Sequence, residues 1–154
     1  MDTDLDKIAW ALKEPFDPKL IHWRVGATTK DKSKGIALAY INARDAMKRL
    51  DDVMGMNWQC RYPFEGCCEI GLLINGEWIW RSNGAGETDI EGEKGRYSDA
   101  FKRVAVMWGI GRYLYYLPNV WTPLKPQGNS HVIDGIPNLP VWALPESQKP
   151  EKKQ

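Results

Sequence analysis

Histidine and cysteine are scarce in this chain of 154 residues, which has two histidines and three cysteines. The histidines, His22 and His131, lie far apart, and no Cys-x-x-Cys pair occurs. Zinc sites need such residues at short and regular spacing, so neither a zinc enzyme nor a bound metal is expected. The cysteines Cys60, Cys67 and Cys68 are odd in number, and we expect reduced intracellular thiols rather than disulfides.

Several other features are absent. There is no Gly-x-x-x-x-Gly-Lys-[Ser/Thr] motif, so ATP hydrolysis is not expected and no cofactor is predicted. No stretch approaches the roughly 18 apolar residues of a membrane-spanning helix, and the acidic start lacks the pattern of a secretory signal. We therefore expect a soluble cytoplasmic protein without a membrane partner.

The net charge of the chain is also small, because 21 basic and 20 acidic residues leave a net charge of +1. A nucleic-acid partner would need basic residues gathered on one surface.

The centre of the sequence predicts an α+β fold. Asn75-Gly76 is typical of a type I′ hairpin turn, because both residues tolerate positive φ angles. It joins predicted strands at residues 68–74 and 77–81, and the alternation of residues 57–62 predicts a strand before them. These strands form an antiparallel three- to four-stranded meander. We expect it to pack on a long amphipathic helix at residues 93–116, which gives a β-β-β-α core.

The flanking segments have their own signals. Helical spacing near the start ends at Pro15, residues 19–27 are predicted as a strand, and a helix begins near Asn42 and ends at Gly55. Prolines become frequent from Pro118 onward. We predict one α+β domain at residues 1–117 and a proline-rich extension at 118–154, which is partly packed and disordered at its last residues.

Catalytic chemistry has little support in the sequence. No Ser/His/Asp arrangement suggests nucleophilic catalysis, and we expect no covalent catalytic site. Metal-dependent nucleases gather carboxylates, and an acidic cluster does occur at Glu87, Asp89, Glu91 and Glu93. The cluster lies in a glycine-rich connection, which favours a solvated acidic face over a metal site.

Basic residues offer a binding surface. They could line a groove if the loop at residues 28–35 folds toward the long helix, and lysine and arginine would then bind phosphates without reading sequence. Tyr40 could stack on bases. From chemistry alone, a solvated basic face explains these residues equally well. The basic residues concerned are Arg24, Lys30, Lys32, Lys34, Lys94, Arg96, Lys102, Arg103 and Arg112.

Three stretches carry a resemblance to a known family. They are ALAYINARDAMKRLDDVMGMNWQCR, EIGLLINGEWIWRSNGAGETDIEGEKG and YSDAFKRVAVMWGIGRYL. Their order and spacing resemble the Rad52/Rad22 family of single-strand annealing proteins, including its phage members. The resemblance implies multi-subunit rings that bind single-stranded DNA in a basic groove and pair complementary strands without ATP. Its groove residues correspond here to Arg24, or Lys30 in its place, together with Tyr40, Lys102 and Arg103.

The chain also departs from that pattern. Eukaryotic members carry a further arginine where this sequence has Val106, so some groove affinity would come from the loop lysines Lys30, Lys32 and Lys34. The long recombinase-binding tail is missing, and mediator activity is not implied.

The resulting hypothesis is ATP-independent annealing of single-stranded DNA in homologous recombination and double-strand break repair. A phage or prophage origin would place the protein in the host cytoplasm. The proline-rich tail could contact a host single-strand binding protein. The alternatives are a passive single-stranded nucleic-acid-binding module, a metal-dependent nuclease using residues 87–93, and a purely structural oligomer.

Overall fold

The structure of the protein is a computed structural model that describes residues 4–84 and 92–151, with the backbone alone at residues 92–94. The chain forms two compact units, each assembled from two segments. Unit 1 comprises Met1–Glu14 and Asn42–Arg112, and unit 2 comprises Pro15–Ile41 and Tyr113–Gln154. The helices and strands are α1 (Asp4–Lys13), β1 (His22–Thr28), β2 (Lys34–Tyr40), α2 (Ala43–Met54), β3 (Trp58–Arg61), β4 (Cys67–Ile74), β5 (Glu77–Gly84), α3 (Gly92–Met107), β6 (Trp121–Gln127) and β7 (Ser130–Ile133).

Unit 1 contains the predicted meander, in which β3, β4 and β5 form an antiparallel sheet in that order. Alternate residues of β4 are fully buried, as expected for a strand with one face toward the core. The buried residues of α3 pack with them, so one face of the sheet is covered by the helix. The fully buried side chains at this centre are Cys68, Ile70, Leu72, Phe101 and Val104. The prediction of a mixed α+β fold with antiparallel strands and helices is confirmed.

The end of α3 differs from the prediction. The helix has 16 residues and ends at Met107 rather than at Tyr116. Gly109 and Gly111 have φ angles of 98° and 74°, which a right-handed helix cannot accommodate. A short 3-10 turn follows at Arg112–Tyr116. Tyr115, which falls inside the predicted helix at residues 93–116, lies beyond the observed helix and is 73% exposed.

Unit 2 is built on a four-stranded sheet in the order β1-β2-β6-β7. The N-terminal half of β6 pairs with β2, at Ile36↔Trp121, and its other half pairs with β7. Residues 121–127 and 130–133 therefore form sheet strands, which the sequence pattern did not predict. The functional division into residues 1–117 and 118–154 stays a prediction, and residues 152–154 lie outside the description. Within the described ranges, no helix has the length and apolar character needed to cross a bilayer.

Candidate nucleic-acid interface

The β1–β2 hairpin places Tyr40 and Arg24 on one face. His22 pairs with Tyr40 and Arg24 pairs with Leu38 in the antiparallel register. Directly paired residues share a face, and so do residues two apart along a strand. The rings of His22 and Tyr40 are stacked, with centroids 5.4 Å apart and planes at 29°. The aromatic pair thus shares a face of the hairpin with Arg24, which is exposed.

His22 lies on the same face of the hairpin as Tyr40 and Arg24, but the sequence analysis did not include it, because histidine was considered there only as a metal ligand. The period-2 spacing of His22 and Arg24 in a predicted strand was the signal that could have found it. A stacked ring pair offers a π face to a base, and a neighbouring arginine offers charge to the phosphate.

The loop that closes the hairpin carries the three predicted lysines. Lys30, Lys32 and Lys34 are all exposed. Lys32 adopts a φ angle of 61° and its ammonium donates to the hydroxyl of Thr28 at 3.0 Å. Along β2, Tyr40 follows Lys34 by six residues, or about 20 Å of extended strand. The hairpin therefore combines an aromatic end with a basic end.

Asp31 lies at the centre of the loop and accepts three hydrogen bonds on one oxygen. The Thr29 hydroxyl donates to Oδ1 at 2.7 Å, the Ser33 hydroxyl at 2.8 Å and the Ser33 N–H at 3.1 Å. These bonds stabilise the ionised carboxylate, and the Thr29 hydroxyl contributes most. They lower the pKa of Asp31 from 3.8 to about 2.

The titration of Asp31 is a direct check on this loop geometry. The pKa of Asp31 in the folded protein lies below its ordinary value of 3.8. The carboxylate therefore contributes its full stabilisation of the fold at pH values above 3.8. It is lost as the pH falls through about 2. Carbon NMR of the side-chain carboxyl should show a midpoint near that value. Ser33→Ala should move the midpoint upward, and an unchanged midpoint in this variant would contradict the bonding pattern.

On α3, Lys102 is partly exposed and Arg103 is exposed. The Nε of Arg103 lies 2.9 Å from Oδ2 of Asp99, one helical turn earlier. Such an exposed ion pair is weak, so a phosphate can replace the carboxylate at low energetic cost. Lys102 and Arg103 therefore supply a second basic surface, which belongs to unit 1.

The other basic residues that we predicted as DNA contacts, in α3 and just after it, have different surroundings. Arg96 is largely buried, with a 19% exposed side chain whose Nη1 lies 3.0 Å from Oε1 of Glu65. Its Nε is buried without a hydrogen bond to any described residue. Arg112 donates from Nε to the carbonyl of Val106 at 3.0 Å and from Nη2 to that of Met107 at 2.8 Å. Arg112 thus stabilises the end of the helix. The side chain of Lys94 lies outside the description.

The structure therefore brings the hairpin residues Arg24, Tyr40, Lys30, Lys32 and Lys34 together in unit 2. The helix residues Arg96, Lys102 and Arg103 belong to unit 1. A single groove that joins the two groups stays a prediction.

The described residues contain no candidate metal site and no reactive thiolate. No group of three His, Cys, Asp or Glu residues there could hold a metal ion. Residues 87–91 of the acidic cluster, and the side chain of Glu93, lie outside the description. The three cysteines are free thiols in the structure. Burial raises the pKa of Cys68 to about 12 and also raises that of Cys60, so neither is a thiolate nucleophile near neutral pH.

The exposed basic side chains of the hairpin and of α3 are the kind of surface that binds nucleic acid. A family model described as Rad52/22 family double-strand break repair protein matches residues 70–132. The single-stranded DNA-binding protein DdrA of Deinococcus deserti is 35% identical over 153 residues, which cover 94% of this chain and 74% of the relative. DdrA of Deinococcus radiodurans is 30% identical over 152 residues, which cover 94% of this chain and 71% of the relative.

The chain belongs to the Rad52/22 family of double-strand break repair proteins. The resemblance seen in the sequence is confirmed by these matches. The matched family is one of DNA repair proteins and both relatives are single-stranded DNA-binding proteins, in agreement with the expectation that no covalent catalytic site is present. No solved structure matches the chain.

Proposed function

We propose that this protein binds single-stranded DNA and anneals complementary strands without ATP. The observation that carries the proposal is the β1–β2 hairpin, which presents a stacked aromatic pair and Arg24 on one face and three exposed lysines on its loop. Both DdrA relatives are named as single-stranded DNA-binding proteins, which supports the binding step.

The chemistry of this surface suits annealing. Lysine and arginine neutralise phosphates whatever the base, and their contacts leave the hydrogen-bonding edges of bases available to a second strand. Tyr40 and His22 can support one base by stacking, which tolerates any sequence. Base-specific contacts would instead favour particular sequences and slow pairing.

The test is annealing of two complementary dye-labelled oligonucleotides, with and without protein, in EDTA and without ATP. The proposal expects acceleration under these conditions. Binding that slows pairing would overturn annealing and leave the passive single-strand-binding alternative. Cleavage that appears only when magnesium is added, and is lost in Glu87→Gln, would support the nuclease alternative instead.

The helix surface gives a further prediction. Replacing Lys102 and Arg103 together by alanine should weaken binding to every single-stranded sequence. The slope of log affinity against log salt should fall by about 1.4, or about 0.7 for each lost phosphate contact. Fluorescence anisotropy at several salt concentrations measures both quantities. The control variant replaces Arg44 and Lys48, which are exposed on α2 of the same unit. Equal slopes in the wild type and the Lys102/Arg103 variant would remove the helix from the binding surface.

We also propose that the protein assembles into a multi-subunit ring. Several large apolar side chains are exposed in the described chain, including Trp10 at 76%, Tyr116 at 72% and Ile136 at 84%. Covering such side chains with a neighbouring subunit would remove apolar surface from water and so stabilise an assembly. Assembly would also let a subunit of net charge +1 contribute to a continuous basic track. Size-exclusion chromatography with light scattering over a range of protein concentrations tests the ring, and a monomer at every concentration would refute it.

The C-terminal segment is proposed as a contact for a host single-strand binding protein. Its proline-rich composition is the supporting observation. Removal of residues 145–154, which follow the sheet strands of unit 2, should abolish such a contact in a pull-down with the purified partner. Retained capture would exclude this segment.

A further inference from the structure

The loop at residues 29–33, together with Lys34, contains one acidic residue among three lysines. This is unexpected for a surface that contacts phosphate, because a carboxylate there repels the backbone of DNA. We propose that Asp31 is a positioning residue of the single-stranded DNA-binding hairpin, which fixes the loop so that Lys30 and Lys34 meet phosphates in one arrangement. The inference rests on the proposed function.

Asp31 connects both sides of the loop. One carboxylate oxygen accepts from the hydroxyl of Thr29 at 2.7 Å, from the hydroxyl of Ser33 at 2.8 Å and from the N–H of Ser33 at 3.1 Å. Hydrogen bonds to an ionised acceptor are about twice as strong as bonds between neutral groups. The three bonds therefore hold the two ends of the loop around a single atom.

The backbone of the loop is restrained in the same region. The N–H of Lys32 donates to the carbonyl of Thr29 at 3.1 Å, and the N–H of Thr29 donates to the carbonyl of Lys34 at 2.9 Å. Lys32 occupies the left-handed region at φ 61°, a conformation that a residue with a side chain adopts only under such restraint. Loss of the Asp31 bonds would release this conformation.

The lysines differ in their surroundings as a result. The ammonium of Lys32 is hydrogen-bonded to Thr28 at 3.0 Å. Lys30 and Lys34 are exposed, and neither side chain has a hydrogen bond or ion pair to a residue in the described ranges. These two side chains are available for phosphates. A loop already ordered before binding loses less conformational freedom when DNA arrives.

A role of Asp31 through its charge and a role through positioning predict opposite changes in DNA affinity when the residue is replaced. If Asp31 acts only through its charge, its removal should strengthen DNA binding. If Asp31 positions the loop, Asp31→Ala should weaken binding although it makes the loop more basic. Asp31→Asn separates the two effects, because its carbonyl oxygen still accepts hydrogen bonds while the charge is gone.

The experiment measures anisotropy of a labelled oligo-dT with the full chain at 50 mM salt. We expect Asp31→Ala to bind about tenfold more weakly, which corresponds to the loss of about one phosphate contact. Asp31→Asn should bind at least as tightly as the wild type. The control is Asp134→Ala, which removes an exposed carboxylate elsewhere in unit 2 and should not weaken binding. Asp31→Ala binding as tightly as the wild type, or more tightly, would overturn the inference.

Hydrogen exchange without DNA provides a second measurement. The amides of Ser33 and Lys34 donate to Asp31 and Thr29 side chains. They should exchange faster in Asp31→Ala and recover most of their protection in Asp31→Asn. Failure of the wild type to bind DNA would refute the proposed function. Wild-type binding with unchanged exchange and affinity in Asp31→Ala would refute the positioning role alone.

Discussion

Replacing Lys30, Lys32 and Lys34 together by alanine is expected to lower the affinity for single-stranded DNA by about two orders of magnitude at 50 mM salt. Each phosphate contact to a single strand contributes about 0.7 to the slope of log affinity against log salt. Loss of the two contacts made by Lys30 and Lys34 should reduce that slope by about 1.4, and the difference from the wild type should shrink as salt rises. Anisotropy titrations between 50 and 200 mM salt measure both effects. The stacked His22–Tyr40 pair would still support base contact in this variant.

The control has to remove the same charge from other places. Lys7, Lys19 and Lys48 are exposed residues outside the hairpin and α3, so their triple alanine variant matches the change in net charge. We expect it to retain most of the affinity. If the two triple variants lose affinity equally, the overall charge of the protein governs binding and the hairpin has no special role.

Phe101→Ala is expected to produce the largest loss of stability, about 3–5 kcal/mol in the free energy of unfolding. The side chain of Phe101 is fully buried on α3, and its ring contacts that of Trp58 at a centroid distance of 6.2 Å. Truncation leaves a cavity between helix and sheet in addition to the lost burial of the ring. Urea unfolding followed by tryptophan fluorescence measures the change.

Phe64→Ala provides the matched control, because the same side chain is removed from a position where it is 69% exposed. Its free energy of unfolding should change by less than about 0.5 kcal/mol. A loss of stability at Phe64 as large as that at Phe101 would mean that the described burial does not determine the stability of unit 1.

The parts of the fold that follow from local chemistry were predictable. Asn75 and Gly76 have φ angles of 52° and 79°, as the type I′ turn requires, and the strands they join end and begin beside them. The N–H of Asn42 donates to Asp45 Oδ2 at 3.3 Å at the start of α2, and Gly55 has a φ angle of 59° at its end. Each signal acts within a few residues, so sequence alone contains it.

Strand β6 depends on distant partners and was missed. Its sequence contains Pro123 and Pro126, which argue against a strand that lies inside a sheet. The structure accommodates them because β2 pairs with residues 121–123 and β7 with residues 124–127. Pro126 lies in the segment that pairs with β7. Pro123 pairs with Lys34 of β2, and on its other side its carbonyl accepts from the N–H of Asp134, so this contact needs no N–H of the proline. Nothing in the local pattern indicates that division of partners.

The residue types of the candidate site could be predicted from sequence, but most contacts between those residues could not. Basic residues and Tyr40 are recognisable from sequence, and their chemistry is independent of the fold. The positioning role proposed for Asp31 could be inferred only from the geometry of its three hydrogen-bond donors. From sequence alone, an acidic residue in a basic loop indicates only that the positive charge of the loop is lower. The ion pair between Arg96 and Glu65 likewise joins residues 31 apart in sequence, so no local pattern predicts it.

The pairing of β2 with β6 also affects how the chain is synthesised. Ile36 and Trp121 are neighbours in the sheet, but the whole Asn42–Arg112 segment of unit 1 is translated between them. Until residues 121–123 leave the ribosome, one edge of β2 has no partner from its own sheet. Unpaired edges of this kind promote association between nascent chains. Neighbouring ribosomes on one messenger would hold such edges close together, so we expect slower translation of the residues between β2 and β6 to lower the yield of soluble protein.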